Sequence, residues 1–175
     1  MDAAHFVLAS FLGWLWSAAR LFVRAASGRQ RYNVLGAFNA VSHELVRVTN
    51  DSYVTAQTVC ELLRKVAALG LGVPITLVMD NARYQRCGLV QELAATLNIE
   101  LLFLPSYSPN LNLIERLWKF TKNAVLNSRQ QQCFGEFRRA IDKCLDELST
   151  TYRSKIDRLM TLNFQSFGNV SMLGT

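Results

Sequence analysis

Two short apolar runs, each closing on polar turn residues, limit this chain more than anything else in it. Ile75-Thr76-Leu77-Val78-Met79 ends at Asp80-Asn81-Ala82-Arg83, and Ile99-Glu100-Leu101-Leu102-Phe103-Leu104 ends at Pro105-Ser106-Tyr107-Ser108-Pro109-Asn110. Runs this short and this continuously apolar suit strands buried on both faces, as in a parallel sheet. Parallel neighbours need a crossover, and Tyr84 to Asn98 supplies a helical one, with Leu89, Leu93 and Leu97 at i, i+4 and i+8. Asp80 is thereby set at the carboxyl end of one strand. Glu115, within Leu111-Asn112-Leu113-Ile114-Glu115-Arg116-Leu117-Trp118-Lys119, falls on a helix just past the end of the next. Open α/β sheets bind and react at that edge.

The segments upstream complete a mixed sheet. Arg31 to Phe38 reads as a strand, Asn39-Ala40-Val41-Ser42 as a turn, and Glu44 to Thr49 as a half-exposed partner strand in an antiparallel hairpin. Thr55 is placed to cap a helix carrying Val59, Leu62, Leu63, Val66 and Leu69 at helical spacing, with Gly70 and Gly72 ending it. If a strand also carries Asp2, the order is three strands, then helix, strand, helix, strand, helix, the pattern of a mixed sheet with helices on both faces. A chain of 175 residues is one domain with a real core, and 18% charged residues exclude a disordered one. The net charge of +6 favours an anionic partner such as nucleic acid. Cys60, Cys87, Cys133 and Cys144 form no C-x-x-C pair, which reads as buried thiols in a reducing cytoplasm rather than a zinc site. Phe6 to Val23 is strongly apolar and, flanked by Arg20, Arg24, Arg29 and Arg31, resembles a membrane span in length. The rest of the chain explains it better as core and sheet edge.

If the strand bearing Asp2 lies beside the one ending at Asp80, then Asp2, Asp80 and Glu115 converge at one edge. Carboxylates about 4 Å apart repel by ~4 kcal/mol per pair at an effective dielectric near 20. Divalent cations relieve that repulsion, and oxygen-only ligands suit Mg²⁺ or Mn²⁺. Two such ions activate a water or a 3′-hydroxyl and stabilise the leaving oxygen of a phosphodiester. Each acid taken alone has a plainer role: Asp2 as a frayed end residue, Asp80 as a turn or cap residue, Glu115 as a solvated helix residue. It is their joint spacing that points to chemistry.

That spacing, with its surrounding residues, resembles the catalytic domain of mariner-related bacterial insertion-sequence transposases, an Asp-Asp-Glu superfamily with an RNase H-like fold. In that family 34 residues separate the second and third acids, as 34 separate Asp80 from Glu115 here. Its last motif, Tyr-Ser-Pro-x-Leu-Asn-Pro-Ile-Glu-x-x-Trp-x-x-x-Lys, is matched by Tyr107, Ser108, Pro109, Leu111, Asn112, Ile114, Glu115, Trp118 and Lys122, with Leu113 in place of the usual proline. Asp80-Asn81-Ala82-Arg83 matches the second motif, although Gln85 stands where a histidine is common. The resemblance implies one α/β, RNase H-like catalytic domain over residues 1–175, with Asp2, Asp80 and Glu115 holding two Mg²⁺ ions that Mn²⁺ can replace. Asn81 and Asn112 would orient carboxylates or bound waters. Glu115, Trp118, Lys119 and Lys122 fall on one helical face, beside a more apolar one of Ile114, Leu117, Thr121 and Ala124. Lys119, Lys122 and Arg83 are candidate DNA contacts, with a solvated stripe as the alternative for the lysines. Trp118 is either a base-stacking DNA contact or a core residue.

A further helix is expected where Phe134, Phe137, Ile141, Leu145 and Leu148 repeat, its Arg138, Arg139 and Lys143, with Arg153, Lys155 and Arg158, extending a basic surface or simply solvated. The function implied is cut-and-paste DNA transposition: metal-dependent strand cleavage at element ends, then strand transfer into target DNA at a TA dinucleotide. It would be carried out by a homo-oligomer on DNA in a bacterial cytoplasm, nucleoid-associated and without a membrane. The family's helix-turn-helix region does not precede Asp2, and the strand bearing Asp2 would begin ahead of Met1. The chain therefore reads as a domain with its first strand cut short, keeping most of the fold but transposing poorly alone. The alternatives are an inactive remnant that binds DNA or partner subunits, and a small membrane-anchored protein.

Overall fold

The computed structural model describes residues 1–8, 30–105, 111–126 and 133–161. Most of the apolar Phe6–Val23 stretch, Tyr107 to Asn110 of the last motif and the tail beyond Thr161 lie outside the described residues. The elements are β1 (Asp2–Leu8), β2 (Gln30–Phe38), β3 (Leu45–Asn50), α1 (Ala56–Ala67), β4 (Ile75–Met79), α2 (Gly88–Thr96), β5 (Ile99–Phe103), α3 (Ile114–Leu126), α4 (Phe134–Asp146) and α5 (Arg153–Leu159). Their order is the one the sequence patterns predict, and a strand does carry Asp2.

The strands form two sheets. In the first, β2 lies between β1 and β3, both antiparallel to it, with Asp2 opposite Gly36 and Phe38 opposite Leu45. In the second, β4 and β5 run parallel with Met79 opposite Phe103. No ladder joins β1 to β4; the Met1 amino group donates to the Val78 carbonyl at the place where the sheets approach.

Two apolar clusters hold the layers together. Tyr32 and Val34 of β2 pack with Phe6, Leu117, Trp118, Phe137 and Ile141, under α3, α4 and α5. Leu35 and Ala37, pointing to the opposite face as alternate strand residues must, pack with Val59, Leu62, Leu63, Leu77 and Met79. Thr55 caps α1 in a reciprocal box with Thr58, and Gly70 and Gly72 adopt φ values of +57° and +66° that few other residues tolerate.

Three expectations are corrected. β4 and β5 are not buried on both faces: Thr76 and Glu100 are exposed and bonded to each other at 2.6 Å, and Leu102 is 51% exposed. The pair is covered on one face only, so its apolar continuity does not report two-sided burial. The crossover helix starts at Gly88 rather than Tyr84, because Gln85 and Arg86 donate back to Ala82 in a tight turn. Its buried positions are Val90 and Ala94, while Leu89 is exposed. Leu69 falls beyond the end of α1 and is also exposed.

Candidate active site

Asp2 opens β1, Asp80 directly follows β4, and Glu115 lies in the first turn of α3. They come from three distant parts of the chain because both sheets stop at the same edge, where α3 begins. Asn112, just ahead of α3 and 3% exposed, ties the edge together: its side-chain amide approaches Asp80 Oδ1 at 3.3 Å and the Met1 carbonyl at 3.5 Å. One buried side chain thus contacts both acid-bearing strands.

The charges of the three acids are coupled. Burial, reinforced by the charges of Asp80 and Glu115, pushes the Asp2 carboxyl up to about 6, against the opposing effects of a backbone hydrogen bond and the Met1 ammonium. Burial also lowers the Met1 amino group to about 6, although Asp2 and Asp80 pull the other way. A carboxylate that is costly to ionise beside two others favours a bound cation. Among the described residues no three of His, Cys, Asp and Glu stand close enough to form a ready-made metal cluster. The donor set itself, carboxylate and amide oxygens with no thiol or imidazole, fits a hard divalent ion.

Around the acids, Asn81, Arg83, Glu115, Lys119 and Lys122 are exposed, so each is open to a charged partner. Trp118 is not. It is 4% exposed within the core, and its ring lies so near Gly36 that a Cβ there would meet it at 2.8 Å. Stacking on a base is therefore corrected to packing: the buried face of α3 runs Ile114, Leu117, Trp118, Thr121 and Val125, and Trp118 leaves the polar stripe for it. The basic residues of the last helices are partly engaged. Arg138 lies over the Tyr32 ring at 5.0 Å and Arg153 pairs with Asp157 at 3.0 Å.

Sequence reasoning missed Tyr84. Burial raises the Tyr84 hydroxyl, and the charges of Asp2 and Asp80 raise it further. Its one signal was its place in the turn that follows Asp80.

Three antiparallel strands beside a parallel pair, with helices packed against them, form an RNase H-like fold. The chain belongs to the DDE superfamily endonucleases, whose pattern matches residues 13–138. That match includes Asp80 and Glu115 and begins after Asp2. Among solved structures, the Mos1 Strand Transfer Complex has a chain 18% identical, with a TM-score of 0.64 over 91% of this chain and 50% of that one. A pre-cleavage Mos1 transpososome is 14% identical with a TM-score of 0.64, over 94% of this chain and 56% of that one. The HTLV-2 integrase catalytic core domain in complex with magnesium is 16% identical with a TM-score of 0.54, over 86% and 83%. At such identities the likeness is one of fold, and the chain spans about half the length of the Mos1 chains in those complexes. No curated protein sequence matches it. Among the described residues no helix is long and apolar enough to cross a membrane.

Proposed function

We propose that this chain is the catalytic domain of a DNA transposase, cleaving strands at the ends of a mobile element and joining them to target DNA. The observation that carries the reading is Asn112, which approaches both Asp80 and the Met1 carbonyl at the start of β1, just ahead of Glu115 in the first turn of α3. Asp2, Asp80 and Glu115 would hold two Mg²⁺ ions, with Mn²⁺ able to replace them. Bound there, the metal would supply a nucleophilic oxygen at neutral pH and charge stabilisation for the oxygen that leaves phosphorus.

The chain's own residues do the rest. Asn112 restrains the Asp80 carboxylate and the start of β1, and Asn81 offers an exposed amide beside Asp80 for a bound water. Lys119 and Lys122, four and seven residues beyond Glu115 on exposed positions of α3, offer charge to the DNA backbone, as does Arg83. In cleavage, a water oxygen attacks phosphorus and the 3′-oxygen leaves as a hydroxyl. In transfer, that hydroxyl oxygen attacks a target phosphodiester, breaking its bond to the target's 3′-oxygen, which leaves as a hydroxyl. A TA target, a homo-oligomer on DNA and a bacterial, nucleoid-associated setting complete the reading. Related folds support it, among them a Mos1 transposase paired-end complex with its left transposon end.

The test is nicking of supercoiled DNA with Mg²⁺ or Mn²⁺. Asp80→Asn and Glu115→Gln should each lower the rate at least about a hundredfold while leaving DNA binding in place. Binding without nicking under either metal would favour an inactive DNA-binding remnant instead.

A further inference from the structure

The β2–β3 hairpin turns through a backbone that residues other than glycine seldom accept. His43, at its tip, has φ +63°, in the left-handed region. Such a conformation costs free energy and lasts only where its surroundings hold it. Here they do. Asn39 Oδ1 accepts from the Val41 and Ser42 amides at 2.8 and 3.0 Å, and the His43 amide donates to the Asn39 carbonyl at 3.0 Å. A glycine would make the same turn with less strain, so it is the imidazole that needs a reason.

The ring reaches out of the hairpin. It stacks on Phe38 with centroids 5.7 Å apart, and its Nδ1 donates to Asp157 Oδ1 of α5 at 2.7 Å. Arg153, one turn earlier on α5, bonds Asp157 at 3.0 Å and donates to the Ser42 carbonyl at 3.4 Å. The bond from His43, aided by Arg153 and opposed by desolvation, holds the Asp157 carboxyl below its ordinary range.

α5 in turn lies along α3. The Tyr152 ring, just ahead of α5, meets Phe120 edge-on at 5.2 Å. Behind it, the Leu159 and Thr161 carbonyls accept from Arg116 at 3.2 and 2.7 Å. Arg116 and Phe120 are four residues apart on one side of α3, and Arg116 directly follows Glu115. Ile156 and Met160 sink the remaining side of α5 into the core.

We propose that His43 is a positioning residue for Glu115: its bond to Asp157 seats α5, and α5, through Arg116 and Phe120, fixes the turn of α3 that carries the acid. The inference rests on the catalytic reading of Glu115, and it traces the aim of that side chain to a hairpin that carries none of the three acids. A bond serving only to tie down the hairpin would call for no contact between α5 and α3. An exposed ion pair standing alone contributes little, but here a strained turn, an aromatic stack and two contacts to α3 share one link.

Two variants of the full chain separate the bond from the backbone. His43→Gly keeps the left-handed turn and removes the ring, whereas His43→Asn tolerates the turn and sets an amide nitrogen where Nδ1 stood. Hydrogen exchange is followed at the Glu115 and Arg116 amides, which donate to Asn112 and Leu113, with the Val59 amide of α1 reporting global opening. Relative to Val59, exchange at Glu115 and Arg116 should quicken at least about fivefold in His43→Gly and stay within about twofold of the parent in His43→Asn. In Mg²⁺-dependent nicking, His43→Gly should lower kcat at least about fivefold with KM for DNA within about twofold, and His43→Asn should restore it. Unchanged relative exchange in His43→Gly overturns the proposal, as does an unchanged kcat or a His43→Asn variant as impaired as the glycine one. A parent chain that nicks under neither metal counts against the catalytic reading instead, and exchange alone then decides whether the hairpin holds α3.

Discussion

The antiparallel sheet and the parallel pair meet water in opposite ways. β2 sends Tyr32 and Val34 into one core and Leu35 and Ala37 into the other, and all four are nearly inaccessible. β5 buries Ile99 and leaves Glu100 and Leu102 in solvent. Yet β5 has the more continuously apolar sequence, while β2 contains Arg31, Asn33 and Gly36. Asn33 survives at 1% exposure because its amide donates to Asn50 and Ser52 and its oxygen faces His5 at 2.7 Å. What decides burial is the number of layers against a strand, not the hydrophobicity of its residues. Asp2 is consequently held in a sheet packed from both sides, and Asp80 at the end of one packed from a single side.

This contrast can be broken by substitution. Leu35→Ala, in the strand common to both cores, should cost about 2–5 kcal/mol by denaturant titration. An effect below about 1 kcal/mol would mean that β2 is not the keystone. Gly36→Ala should cost about 1–3 kcal/mol, since its Cβ would meet Trp118 at 2.8 Å and Leu45 at 3.0 Å. Trp118→Phe should recover part of that loss, which sharpens the placement of Trp118 in the core.

A third test uses pH. Asp2 titrates near 6 in the folded chain against 3.8 when unfolded, so the folded state holds an extra proton between those values. Its contribution to stability is full below about pH 4 and lost as pH rises through about 6. A divalent ion needs the ionised form, so Mg²⁺ should raise the thermal midpoint by a few degrees more at pH 8 than at pH 5. Asp2→Asn should remove that difference. The smallest effect belongs to the open face: Leu102→Ala should change stability by no more than about 0.5 kcal/mol.

Much of this was legible beforehand for a definite reason. Val59, Leu62, Leu63 and Val66 repeat at helical spacing and are buried as a set. A strand closing on a turn acid places Asp80 whatever the tertiary context. Failures came where local pattern and packing part company. Leu89 and Val90 are equally good helix residues, and only the approach of the sheet chooses between them. Trp118 follows the polar stripe by spacing, but its size wins it the space above Gly36. The gap between β1 and β4 had no local signature, since strand pairing is a long-range property.

Glu115 depends on more than its own turn of helix. The next residue, Arg116, reaches backward to the carbonyls of Leu159 and Thr161, at 3.2 and 2.7 Å, while Trp118 wedges against β2. α3 is thus restrained from rolling about its long axis by anchors on either side of Glu115. The last short helix serves as a rudder for the glutamate, so damage near position 160 would misdirect a carboxylate far from it.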